Sequence, residues 1–151
     1  MSAYVDALKM LGRRELSEAQ VRQRLARKEH DAEAIDEAVA RLREERAIDD
    51  ERVAGAIARS ETSLRQRGKV RVRMKIERAG ISKAIARRAV DEVFGDLDPE
   101  AHIESALRKR LRGRETIADA REFQRLYRFL VGQGFESDQA LKVLNAKRTV
   151  K

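Results

Sequence analysis

Lys69-Val70-Arg71-Val72-Arg73-Met74-Lys75-Ile76 alternates basic and apolar residues without a break. Read by itself, period-two alternation is the mark of a half-buried strand. On a helix, Val72, Ile76 and Ala79 share one face while Val70 and Met74 fall on the opposite one. The choice decides whether the chain is all-α or carries a sheet, and the arbiter lies elsewhere in the sequence. A shift of 51 residues lays Val21, Leu25, Asp31, Ala38, Val39 and Leu42 over Val72, Ile76, Ser82, Ala89, Val90 and Val93. The earlier copy reads as helix, because Ser17 stands as an N-cap before Val21 and Leu25 at i, i+4 spacing. The alternating stretch therefore fills a helical slot. The expectation is a helix over 69–76 that is covered on two sides.

Outward from this stretch the same grammar recurs. Ala7, Leu8 and Leu11 form a stripe before a break at Gly12-Arg13-Arg14, and Asp31 caps a helix carrying Ile35, Ala38, Val39 and Leu42. Asp49-Asp50 opens a helix with Val53, Ala54, Ile57 and Ala58, and Gly80-Ile81-Ser82 joins a C-cap to a fresh N-cap before Ile85, Ala89, Val90 and Val93. Pro99 stands where a helix can start, ahead of Ile103, Ala106, Leu107 and Leu111. Two further stripes follow, Phe123 to Val131 and Ala140 to Leu144. A second shift, of 54 residues, lays Ile76, Gly80, Ile81 and Val90 over Leu130, Gly134, Phe135 and Leu144, while Val93 falls on Lys147 and marks the third copy as the most divergent. The expected fold is all-α: three tandem three-helix repeats, over 1–48, 49–96 and 97–151, stacked into an elongated, curved array.

Composition agrees. Of 151 residues, 40% are charged, 42% hydrophobic and 4% aromatic, with one Pro and eight Gly. That is too apolar for a disordered chain and too poor in turn residues for a many-stranded fold. The absence of Cys excludes disulfides and thiolate metal sites. No run approaches the length of a membrane span, and the first 30 residues lack a signal-peptide core, so the expectation is a cytoplasmic protein with no membrane association.

The net charge of +8 is unevenly spread. Residues 1–48 are neutral, whereas ten bases face one acid, Glu77, between Arg65 and Arg88. The ten are Arg65, Arg67, Lys69, Arg71, Arg73, Lys75, Arg78, Lys83, Arg87 and Arg88. Such density attracts a polyanion or an acidic protein surface. Arg71, Lys75 and Arg78 would line one helix edge and Lys69 and Arg73 the other, which suits tracking phosphates without reading bases. Phe94, Phe123, Tyr127, Phe129 and Phe135 sit in or beside apolar stripes, so no stacking platform is expected. Direct nucleic-acid contact should therefore be weak, salt-sensitive and indifferent to sequence. No catalytic set appears, and no cofactor or metal is implied. His30 and His102 fall in different units and read as surface or helix-end residues, Gly132-Gln133-Gly134 is no phosphate loop, and Asp49-Asp50 reads as a cap.

Four ordered segments resemble the RecX family of bacterial regulators of the RecA recombinase. They are Arg14 to Leu25, Ile48-Asp49-Asp50-Glu51-Arg52-Val53-Ala54, Gly68 to Ile76 with Gly80-Ile81-Ser82, and Leu126-Tyr127 through Gly134-Phe135. The likeness runs from about Tyr4 to Lys147 and includes the three-unit plan. The family usually carries an aromatic at Val53, a glycine- and aromatic-containing turn at Gln66-Arg67, and often an acid at Lys75. The resemblance implies a non-enzymatic modulator that lies in the groove of the RecA–DNA filament and limits its growth, ATPase, strand exchange and coprotease activity; the protein itself is expected to be a monomer. The ten bases above would carry the contact. The rival reading is a sequence-independent nucleic-acid-binding module that acts without RecA.

Overall fold

The computed structural model describes residues 2–148; Met1 and the end of the expected third unit, 149–151, lie outside the described residues. Among the described residues there are nine helices and no strand. They are α1 (Ala3–Arg13), α2 (Glu18–Arg27), α3 (Ala32–Glu44), α4 (Asp50–Ser63), α5 (Lys69–Arg78), α6 (Lys83–Gly95), α7 (Pro99–Leu111), α8 (Ala120–Gln133) and α9 (Ser137–Ala146). The expected caps form: Ser17, Asp31 and Ser82 each accept a hydrogen bond from a first-turn N–H, and Pro99 opens α7. Gly12 is the one misplaced breaker, since α1 continues through it to Arg13.

The alternating stretch is helical, as the repeat required. Val72 and Ile76 are fully buried and Ala79 nearly so, against α4 and α6. The second expectation fails: Val70 and Met74 are each 41% exposed, so α5 is covered on one side only. Three buried positions at i, i+4, i+7 suffice to fix a ten-residue helix on its neighbours. The alternation has no sheet to serve.

Buried side chains form three separate clusters, one for each successive group of three helices. The first runs from Ala3 to Ile48 around Val21, Leu25, Val39 and Leu42. The second runs from Val53 to Val90 around Val72 and Ile76, and the third from Ile103 to Leu144 around Leu107 and Leu130.

What joins the groups is an end-to-end series of the middle helices. The N-terminus of α2 meets the C-terminus of α5: the buried Ser17 hydroxyl donates to the Ala79 carbonyl while accepting from Gln20 N–H. Asp50, in the first turn of α4, accepts from Glu18 N–H at 2.9 Å. One repeat later, the N-terminus of α5 meets the C-terminus of α8. There Gly68 N–H donates to Gln133 O at 2.8 Å and Val70 N–H to Gly134 O at 3.2 Å. Free carbonyls at one helix end thus meet free N–H groups at the next, with macrodipoles aligned. At Gly68 any Cβ would collide with the backbone of Gly134 and Phe135, so only glycine permits the approach.

Candidate interaction surface

The ten bases do not form one surface. Arg67 lies in the α4–α5 turn, where its N–H donates to Glu61 O at 3.0 Å and its carbonyl oxygen lies 2.8 Å from His102 Nε2. Its Nε and Nη1 are buried without a hydrogen-bond partner among the described residues. Burial, and then the neighbouring Arg71 charge, pull its pKa below the ordinary arginine value. Arg67 belongs to the join between α5 and α7, not to an open face. Arg65 is exposed, pairs with Glu61 at 3.4 Å, and lines a depression with Arg108, Lys109 and Phe129 of the third group of helices. On α6, Arg88 reaches Glu51 at 2.6 Å, and Glu92 lines the same depression, so acids temper that side. Lys83 and Arg87 are exposed on the same helix.

Five bases do share a face. On the outer side of α5, the exposed Val70 and Met74 form a short apolar stripe at i, i+4 spacing. Helical geometry puts Lys69 and Arg73 on one flank of it and Arg71, Lys75 and Arg78 on the other. Not all five are free. Arg71 Nη1 donates to Gly132 O at 2.9 Å, tying it to the α5–α8 join, and Arg73 Nε stands 3.4 Å from Glu77. Lys69 Nζ sits 5.9 Å from the centre of the Phe94 ring. Lys75 and Arg78 have no ion pair among the described residues. They border a cleft of about 340 Å³ between the first and second helix groups, with Arg14 on its rim and Val53, Ala56 and Ile57 in its lining. The single acid there, Glu15, is held by both Nε and Nη2 of Arg52, at 2.9 and 3.0 Å. The Glu15 pair holds the Arg52 pKa above its ordinary value. Arg52 therefore staples α4 to the α1–α2 turn, which gives the Ile48–Ala54 segment a structural reason.

Of the two histidines, His30 stands at a helix end, between α2 and the Asp31 cap of α3, and His102 is buried rather than superficial. His30 Nε2 lies 2.6 Å from Asp6, whose carboxyl that bond holds below the usual range. His102 is buried edge-on between Phe94 and Phe135 where the second and third helix groups meet. Among the described residues no group of three or more His, Cys, Asp or Glu could hold a metal ion. No helix there is long and apolar enough to cross a membrane.

A second basic region lies outside the ten bases. Arg108-Lys109-Arg110-Leu111-Arg112-Gly113-Arg114 straddles the end of α7, with Arg112 and Gly113 both at positive φ. Five of its seven residues are basic, a higher density than the ten bases over 65–88. It was hidden because the acids of the surrounding third dilute the count.

Comparison with known proteins agrees with this architecture. The family model for the first three-helix domain of RecX matches residues 3–42, and that for the third three-helix domain matches residues 98–144. A Regulatory protein RecX from Chlorobium phaeobacteroides is 31% identical over 146 residues, covering 95% of this chain and 91% of that protein. Another, from Halorhodospira halophila, is 33% identical over 134 residues, covering 88% and 80%. The crystal structure of RecX from Lactobacillus salivarius superposes with a TM-score of 0.78 over 95% of this chain and 93% of that one, at 17% identity, which speaks for the fold alone. With three helix groups joined end to end, two of them matched by the family's own domain models, the chain belongs to the RecX family of regulatory proteins.

Proposed function

We propose that the protein is a non-enzymatic, mainly inhibitory modulator of the RecA recombinase, acting as a cytoplasmic monomer on the RecA–DNA filament. It limits filament extension, ATP hydrolysis, strand exchange and coprotease activity, and so acts in DNA repair and the SOS response. The observation that carries the reading is the outer face of α5. Five bases border an exposed Val70–Met74 stripe there, with Glu77 the one acid of that helix. A protein surface offers both carboxylates and apolar atoms to such a face, whereas a bare phosphate chain uses only the charge. Repetition supplies the length: helix groups joined end to end can follow a groove over several recombinase subunits.

The test is K75E/R78E in an assay of ATP hydrolysis by the filament. Arg71 is left alone because it supports the α5–α8 join. Inhibition should weaken by roughly tenfold, as for loss of two well-placed charge contacts, with the thermal unfolding curve unchanged. Undiminished inhibition would remove the α5 face from the contact, and no effect of the wild-type protein on the filament would remove the reading itself.

A further inference from the structure

We infer that the third helix group carries a separate binding track for single-stranded nucleic acid, distinct from the α5 face and independent of the recombinase reading. The track is built from two adjoining depressions. The first, about 410 Å³, is lined by Arg65, Arg108, Lys109, Arg110, Phe129 and Gln133. The second, about 360 Å³, shares Lys109 and Arg110 and adds Arg112 and Arg125. Six bases thus border one continuous path. The one acid in its lining, Glu122, already receives two hydrogen bonds from Arg114, at 2.9 and 2.5 Å. Arg65 has Glu61 at 3.4 Å and Arg125 has Glu122 at 3.9 Å, but Arg108 and Lys109 have no ion pair among the described residues.

Chemistry selects the ligand. Charge alone would take any polyanion, but the path also holds an aromatic ring and an apolar edge. Arg110 lies over the Phe129 ring with its guanidinium carbon 3.9 Å from the centroid, so Phe129, expected only beside an apolar stripe, also lines the path and with Arg110 offers a base a cation–π pair to pack against. Beside it Leu64 is 80% exposed, the most exposed large apolar side chain among the described residues. Stacked bases in a duplex have no face to offer these groups, whereas a single strand offers both phosphates and splayed bases. The Gln133 side chain, whose Nε2 donates to Arg65 O at 3.3 Å, and the Ser105 hydroxyl add neutral hydrogen-bonding groups to the same lining. Arg125, Phe129 and Gln133 stand four residues apart on α8, so one helix face presents the charge, the ring and the amide in series.

The experiment measures binding of a fluorescent twenty-nucleotide oligothymidylate by anisotropy across a salt series, without recombinase. R108E/K109E is compared with K75E/R78E, which changes net charge by the same amount on the α5 face. The track variant should lose at least about tenfold in affinity, and its salt slope should fall by about 1.4, the value for two lost phosphate contacts on a single strand. The α5 variant should stay within about threefold of wild type. F129L, which leaves the charge intact, should lose roughly fivefold, in the range of one base stack. Equal losses in the two charge variants, an unchanged track variant, or equal binding of a duplex of the same length would each overturn the proposal. A recombinase effect abolished by K75E/R78E but kept by R108E/K109E would leave both inferences standing apart.

Discussion

The two joins in this chain solve one problem by different means. At the α2–α5 join a side chain mediates: the Ser17 hydroxyl accepts from its own helix and donates to Ala79 of the next. At the α5–α8 join the two backbones bond directly, with the Arg71 side chain bracing the join from outside through Gly132 O. Gly68 and Val70 donate directly to Gln133 and Gly134, and α5 has no side-chain cap of its own. The offset of 51 residues that equates Ser17 with Gly68 makes the contrast a controlled one. A hydroxyl holds its partner helix one side chain away, whereas a bare glycine lets two backbones touch. Closer approach aligns two hydrogen bonds and two helix dipoles, but it makes the join intolerant of any added atom.

The sharpest way to break the contrast is Gly68→Ala. Its Cβ would strike the backbone of Gly134 and Phe135, which cannot swing aside as a side-chain tip can. Separating the helices loses both backbone hydrogen bonds between them. We expect a loss of roughly 3 kcal/mol, at the upper end of overpacking costs, read as a lowered midpoint in urea. A loss below about 1 kcal/mol would mean that the join relaxes easily and that the two joins are alike.

Next in size is Ser17→Ala. The hydroxyl is fully buried and used twice, as cap and as bridge, so its removal leaves the Ala79 carbonyl without its donor and Gln20 N–H without its acceptor. The expected cost is about 2 kcal/mol, the sum of a lost cap and a buried unpaired acceptor. The loss should reach α5 as well as α2, so hydrogen exchange should quicken at the last turn of α5 in the variant. Exchange confined to α2 would reduce Ser17 to an ordinary cap.

How much of this could be read from the residues follows from what each feature depends on. Apolar stripes at helical spacing, the caps and the internal offsets are local, and they placed the helices, including α5 against its own alternation. The joins are not local. They pair residues more than sixty positions apart, and neither Ser17 nor Gly68 carries a mark that says whose carbonyl it will meet. The second face of α5 was misread because Val70 and Met74 look like core residues, yet no element crosses them. The basic stretch was contiguous only in sequence: the α4–α5 turn buries Arg67, α6 carries Arg88 to Glu51, and Arg65 joins the run after Leu107 instead. Charge density along a chain says little about charge density on a surface once the chain turns every ten to fourteen residues.

The smallest effect tests what happens where the series stops. The start of α8 is the counterpart of Ser17 and Gly68 within the third group, and acids close it. Asp119 caps the helix by accepting from Glu122 N–H at 2.8 Å. The Glu122 carboxylate accepts from Arg114 at 2.9 and 2.5 Å and from Ala118 N–H at 2.9 Å. The Arg114 bonds foremost, then Ala118 N–H, bring its pKa down to about 2 from an ordinary 4.5. A carboxylate depressed in the folded state adds stability that is fully present above its unfolded value and is lost as pH falls through the folded one. The contribution should therefore fade between pH 4.5 and about 2. Glu122→Gln should cost about 1 kcal/mol near neutrality, allowing for solvent screening around the half-exposed Arg114. Stability against pH should then run flatter in the variant across that acid window, and the two curves should converge at its lower end. Asp6 and Glu45 are also held below their ordinary values and titrate identically in both proteins, so the difference between curves isolates Glu122. Parallel curves would mean that the carboxylate's charge does not close the array, and that a neutral cap such as Ser17 would serve the end as well as it serves the join.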